Sequence, residues 1–267
     1  MSRKRLRNGG RLSRDTWNKL AREDAEFYIL TEEGKEKGGW NRNEFLERGR
    51  EQWIRFRKLL SHYGLENIIS KNRTVLDVGC GVGRMTFAMA EDFLKALGVD
   101  VSEAMIEKGR EYQENLRIKN VEFFVNNGVD LSLFSDNSID FVFSYIALQH
   151  CLSSKQVLMY IKEFSRVLKP SGVCLFQTRV SPTFKRYVRF LLSKELANVK
   201  NFLKKAHHLE KAFMGNWVYY PKIYDVVSKY FSSFYLLQTP IELYYERFWE
   251  IKNEYERWKR SFWICIK

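Results

Sequence analysis

Three glycines fall within five positions in the stretch VLDVGCGVGR, where Gly79, Gly81 and Gly83 follow the apolar run that begins at Val75. A glycine loop between a buried strand and a helix brings backbone N–H groups and a helix N-terminus close to a ligand. Asp100 closes the next apolar run, 21 residues beyond Gly79, where a carboxylate can take both hydroxyls of a ribose. Both features fit any nucleoside cofactor, and the detail separates the candidates. A dinucleotide loop needs a third glycine where Arg84 stands, because helix and strand pack closely there. Asp77, two residues ahead of the first glycine, would repel a pyrophosphate and attract the ammonium of an amino-acid moiety. His150, in the tetrapeptide LQHC, carries the side chain best suited to take a proton from a hydroxyl near neutral pH. A histidine that only holds a loop by hydrogen bonds is the competing reading, and residue type alone leaves both open.

These residues need a frame, and the chain supplies one from Thr74 onward. TVLDV (Thr74–Val78), KALGVD (Lys95–Asp100), VEFFV (Val121–Val125), IDFVFSYI (Ile139–Ile146) and GVCLFQT (Gly172–Thr178) read as strands. Their continuous apolar character predicts burial on both faces. Between them, RMTFAMAEDF, SEAMIEKGREYQENL and SKQVLMYIKEFSRVLKPSG have helical spacing, with Ser102 placed to cap the second and Pro170 and Gly172 to close the third. Such alternation predicts an α/β fold in which right-handed crossovers lay helices on both sides of a parallel sheet. A helix over Tyr220–Phe231 and strands at FYLLQT (Phe234–Thr239) and SFWICIK (Ser261–Lys267) complete the expected elements.

In this order the motifs resemble those of the class I S-adenosylmethionine-dependent methyltransferases, in particular the small-molecule group known as type 11. VLDVGCGVGR is similar to that family's first motif, and GVDVSEAMIEKGR (Gly98–Arg110) to its ribose-binding strand end. NNGVDLSLFSDNSIDFVFSYIALQH (Asn126–His150) resembles its adenine-side loop and fourth strand, and RVLKPSGVCLFQT (Arg166–Thr178) its fifth strand. The resemblance spans residues 73–180. It implies a three-layer Rossmann-like fold whose seven-stranded sheet runs 3-2-1-4-5-7-6 and ends in an antiparallel hairpin. It also implies S-adenosylmethionine as cofactor and S-adenosylhomocysteine as product. Gly79, Cys80, Gly81, Gly83 and Arg84 would then line the methionyl and ribose side, with Asp77 near the amino group. Asp100 would hold the ribose diol, and Val101 and Met105 would pack on adenine, although both also suit an ordinary core. Asn127, with Gly128 beside it, stands where the family usually has an aspartate for the adenine amine, and an amide oxygen can still accept that bond. Ser144 and Tyr145 would face the methionine. His150 would sit over the reaction cavity, with Gln149 orienting the acceptor.

The chain of 267 residues carries a net charge of +13 that is concentrated in two stretches. Residues 1–14 hold six Lys or Arg and no acid, and residues 181–211 hold eight against Glu195 and Glu210. The expected organisation is a basic disordered tail (1–14), a helical cap (15–70) and a cofactor domain (71–267) with a basic helical insertion (181–215). Trp17, Trp40, Phe45, Trp53 and Phe56 are the apolar anchors of the cap. In the insertion, apolar residues recur at helical spacing from Phe184 to Phe213, opposite lysines and arginines. Such a cover suits an anionic acceptor or a membrane surface. The plain alternative is a stripe packed on the core with its lysines in water. No apolar run nears the roughly 18 residues of a membrane span, and the basic start leads into no signal-peptide core. The expected place is the cytoplasm, with membrane-surface contact through the insertion. The four cysteines lie far apart without a C-x-x-C pair, so neither metal nor disulfide chemistry is expected.

Methyl transfer from a sulfonium is an in-line displacement that needs alignment, exclusion of water and, for some acceptors, removal of a proton. The leading expectation is O-methylation of a small-molecule or glycan-type acceptor, anionic or lipid-linked, touched by Trp217 and Tyr220. One rival is an RNA or tRNA methyltransferase, which the basic stretches permit. The D/N-P-P-Y/F motif of amino-methylating enzymes is absent, however, and SYIALQ stands in its place. The other rival is a non-catalytic subunit that binds the cofactor only.

Overall fold

The computed structural model describes residues 3–181, 216–238 and 261–267 and positions 183, 184, 188 and 192, with side chains from Gly10 onward. Two long helices come first, α1 (Arg3–Ile29) and α2 (Arg42–His62). The alternating part follows as β1 (Thr74–Val78), α3 (Arg84–Ala90), β2 (Lys95–Asp100), α4 (Glu103–Leu116), β3 (Val121–Val125) and β4 (Ile139–Ser144). It continues through α5 (Ser154–Val167), β5 (Leu168–Ser181), β6 (Trp217–Tyr219), α6 (Tyr220–Tyr230), β7 (Ser233–Gln238) and β8 (Ser261–Ile266).

The strands form one sheet in the order β3-β2-β1-β4-β5-β8-β7. β1 to β5 are parallel, while β8 runs antiparallel between β5 and β7. This is the expected order, with β7 and β8 as the terminal hairpin. Among the described residues there is one further strand, β6, which pairs in parallel with the last three residues of β5. Each strand in the middle of the sheet feeds both cores, as its unbroken apolar run requires. Val75, Phe141, Phe143, Val173 and Leu175 face the side of α2, α3 and α4. Leu76, Val142, Cys174 and Phe176 face the side of α5 and α6.

Local signals account for the helix ends. Asn41 accepts the N–H groups of Asn43 and Glu44 at the start of α2, and Ser102 accepts that of Met105 at the start of α4, each relieving an unpaired donor. α5 stops at Val167 because Lys169, ahead of Pro170, is held extended. α2 buries Phe45, Trp53, Phe56 and Leu60 along one stripe, and Phe56 meets Phe143 edge-on at 5.0 Å.

Residues 3–14, expected as a disordered tail, are the first half of α1. Contacts with the body hold the helix there. Gly10 packs on the Asn127–Gly128 backbone, Arg14 donates to the Asn126 carbonyl at 3.2 Å, and the Asn18 side chain accepts from Ser102 Oγ and Ala104 N at the head of α4. α1 bends at Asp24, whose backbone leaves the helical region. There its carboxylate takes the N–H of Phe27 and of Gly38. Most of the basic insertion over 181–215 lies outside the described residues, and with it the amphipathic stripe. Among the described residues no helix is long and apolar enough to cross a membrane.

Candidate functional site

A cavity opens at the C-terminal ends of β1, β2 and β4, where a parallel α/β sheet places its ligands. With its open mouth it measures about 860 Å³. Its floor is Val78, Gly79, Gly81, Val99, Asp100, Val101 and Met105, its far walls are Asn126, Tyr145–Leu148 and His150, and α1 covers it with Ser13, Trp17, Tyr28 and Ile29.

The glycine loop is shaped by close approaches. Gly79, Gly81 and Gly83 all have positive φ, a region that penalises a side chain. A Cβ on Gly79 would lie 2.2 Å from that of Ala147, in the loop after β4. At Gly81 it would meet Ile29 of α1, and at Gly83 the ring of Phe123. Gly79 and Gly81 therefore line the cavity, whereas Gly83 seats α3 against β3.

Asp100 sits at the centre of the polar geometry. Its Oδ2 accepts the Gly81 N–H at 3.0 Å and its Oδ1 the Ser102 N–H at 2.9 Å. Each oxygen keeps a lone pair for the hydroxyl of a diol. Burial pushes the carboxyl above its ordinary range, opposed by these N–H bonds. Val101 and Met105 line the cavity beside it.

Asp77 is not a wall residue. It lies under the loop, 2% exposed, and accepts from Thr86 Oγ at 2.7 Å. Burial pushes it up to about 7, against the opposing pull of Thr86 and Arg84. Cys80, Arg84 and Ser144 are likewise buried supports. The Cys80 thiol is pushed up by burial, and Ser144 donates to the Val78 carbonyl at 2.9 Å, tying β4 to β1.

In the loop after β3, two neighbouring asparagines are placed differently. Asn127 is exposed, and its oxygen is used on the N–H groups of Val129 and Asp130. Asn126 is the cavity residue, 3% exposed, with its amide bonded to Gly128 N and Asp130 O. Gln156 of α5 holds the same loop by donating to the Gly128 carbonyl at 2.6 Å. The sequence reading misses Asn126 and Gln156, as well as Trp17, Tyr28 and Ile29.

Tyr145 lines the cavity with its ring stacked on Phe262. His150 also reaches it, on a 3-10 turn (Leu148–His150), and meets Trp17 edge-to-face at 5.3 Å. Gln149 turns its amide to His150 Nε2 at 3.1 Å and to Arg179 Nε at 3.2 Å. Trp217 and Tyr220, expected against the acceptor, are not on this wall. Trp217 is buried in β6, and Tyr220 stacks on Trp263 in the core beneath α6.

The residues present suit an adenosyl group. They offer a carboxylate with lone pairs left for a diol, the apolar side chains of Val101 and Met105 beside it, and a glycine loop bare of side chains. Comparison with known proteins agrees. Residues 75–172 match the family model described as a methyltransferase domain. The chain is 38% identical over 105 residues to the demethylmenaquinone methyltransferase of Bacillus cereus, covering 38% of this chain and 43% of that protein. It is 37% identical over 107 residues to the same-named protein of Listeria monocytogenes, covering 39% and 44%. The chain thus spans less than half the length of the curated relatives it matches. Among solved structures, the magnesium protoporphyrin IX methyltransferase of Synechocystis with bound S-adenosylhomocysteine superposes with a TM-score of 0.58 at 15% identity, covering 97% of this chain and 99% of that one. A Pyrococcus horikoshii protein does so with a TM-score of 0.52 at 24% identity, covering 85% and 92%. Over residues 75–172 the chain is thus similar to a methyltransferase domain, and the sheet as a whole has the fold of the Synechocystis methyltransferase structure.

Proposed function

We propose that this chain transfers the methyl group of S-adenosylmethionine to a hydroxyl of a small molecule. The observation that carries the reading is a single cavity that joins Asp100, the bare glycine loop and His150. When bound, the cofactor supplies an electrophilic methyl on a sulfonium, which keeps the bonding electron pair as the methyl leaves. Asp100 holds the ribose, and Val101, Met105 and Asn126 enclose the base. Trp17, Tyr28 and Ile29 keep water from the reacting atoms. His150 receives the proton that the acceptor hydroxyl gives up.

The described walls also favour one kind of acceptor. They carry no Lys or Arg, and around His150 they are apolar or aromatic through Trp17, Tyr28, Tyr145, Ile146 and Leu148. Such a lining supports an apolar, ring-bearing molecule, and the curated relatives are named for demethylmenaquinone. A phosphorylated acceptor would need cations that these walls do not carry.

The test is transfer of radiolabelled methyl groups to three acceptor pools: apolar ring-bearing hydroxyl compounds, sugar phosphates, and tRNA. Label in the first pool, reduced about 100-fold by His150→Ala, is expected. Label in tRNA that vanishes steeply with salt would move the protein to the RNA class. S-adenosylhomocysteine binding without transfer to any pool would make it a binding subunit.

A further inference from the structure

His150 is held by a side chain that decides which of its nitrogens is basic. Arg179 Nε donates to Gln149 Oε1 at 3.2 Å. A guanidinium has only donors, so the amide atom facing it is the oxygen, and the amide's orientation follows. The other amide atom, Nε2, lies 3.1 Å from Nε2 of His150. An amide NH₂ only donates, so this ring nitrogen accepts and carries no proton. In the neutral ring the proton then sits on Nδ1, whereas an imidazolium would set N–H against N–H.

The arrangement is anchored on several sides. Gln149 is 9% exposed, and its carbonyl accepts from Asn216 N at 2.6 Å. Asn216 directly precedes β6, whose Trp217 is registered with Arg179 on β5. The 3-10 turn, the end of β5 and the start of β6 are therefore tied at one point. The titratable groups sharing the cavity with the ring are Tyr28 of α1, Asp100 after β2, Tyr145 and Cys151 around the turn, and Tyr160 of α5. Burial pushes Tyr160 and Cys151 up and keeps both neutral.

We propose that Gln149, oriented by Arg179, is a positioning residue that holds His150 neutral with its lone pair on Nε2. This rests on the reading that His150 receives the acceptor's proton. A hydroxyl that exchanges with the Gln149 amide then finds the basic nitrogen already bare, and its proton ends on Nε2.

Nitrogen NMR of the full chain labelled in its histidines reads this without cofactor or acceptor, with His150 assigned through His150→Asn. In the wild type near neutral pH, Nε2 is expected in the unprotonated range and Nδ1 in the protonated range. Gln149→Glu sets an acceptor against Nε2, so that nitrogen becomes protonated and the ring's titration midpoint rises by about one pH unit or more. Arg179→Met frees the amide to turn, and the ring becomes a mixture of tautomers. If the glutamate variant fails to fold, Gln149→Ala serves, and its ring shifts proton population toward Nε2. A protonated Nε2 in the wild type, or nitrogen signals unmoved by the Gln149 change in a folded variant, overturns the proposal. A purely structural role would lower stability and leave those signals in place. Because no methyl transfer is measured, failure here leaves the proposed activity standing, and failure of the activity leaves the tautomer result standing.

Discussion

The Asp100 carboxylate and the Gly81 N–H are locked together at 3.0 Å, with the other carboxylate oxygen on Ser102 N at 2.9 Å. One side chain thereby fixes the glycine loop to the end of β2 and keeps lone pairs for the diol of the proposed cofactor. Asp100→Asn sets an NH₂ against a backbone N–H and removes one diol acceptor. A hydrogen bond to a charged group contributes about 1.5–3 kcal/mol, so affinity for S-adenosylhomocysteine should fall by about 10- to 100-fold. Titration calorimetry checks this, and an unchanged affinity would place the nucleoside elsewhere.

Asn126 and Asn127 make a sharper contrast. Asn126 lines the cavity and pins the loop through Gly128 and Asp130, whereas Asn127 is exposed and caps a turn. Asn126→Ala leaves buried backbone groups unpaired, so it should destabilise the fold by about 1–3 kcal/mol and weaken cofactor binding. Asn127→Ala should leave cofactor affinity within about threefold, since lost surface contacts of this kind are worth about 0.5 kcal/mol. Equal losses in both variants would return the adenine contact to Asn127.

What the sequence reveals here, and what it hides, follows from the range of each interaction. β1 to β5 are unbroken apolar runs bounded by turn residues, so local pattern and burial agree. Ser102 announces its helix because a cap is a contact over three residues. The Asn126–Asn127 pair cannot be resolved this way, because two identical neighbours differ only in which follows the pleat of β3, and that is set by the Asn126 N–H bonding to the Asp100 carbonyl. α1 is hidden for another reason. Gly9 and Gly10 lower helix propensity, and the compensation comes from docking on a loop more than a hundred residues away. Trp17, Tyr28 and Ile29 reach the cavity by the same long-range packing, which no motif records.

Gly10 makes that docking testable. A Cβ there would lie 2.5 Å from the Asn127 carbonyl oxygen and 3.5 Å from Gly128 Cα, both backbone atoms with no rotamer in which to retreat. Gly10→Val should cost about 1–3 kcal/mol as an overpacked contact. It should also loosen the segment of α1 before the Asp24 bend, seen as faster amide exchange over residues 10–23 than in the wild type. Equal protection in the two proteins would mean that α1 is held by its later contacts alone.

Asp77 ties stability to pH, with a sign opposite to that of most carboxylates. Its folded-state value is pushed up to about 7 by burial, whereas an unfolded aspartate ionises near about 3.9. Between these values the folded chain keeps a proton that the unfolded chain has lost. Stability therefore falls as pH rises from about 4 to about 7, by at most about 4 kcal/mol over the interval. Above that window the full cost of the buried charge remains. Asp77→Asn keeps an oxygen for Thr86 and removes the charge. It should match the wild type at the acid end and exceed it above neutrality, with thermal unfolding midpoints several degrees apart. Asp100, also pushed up by burial, leaves a shallower slope in the variant. Denaturation series across this pH range check the claim, and a variant with the wild-type slope would show that Asp77 is already ionised in the folded chain.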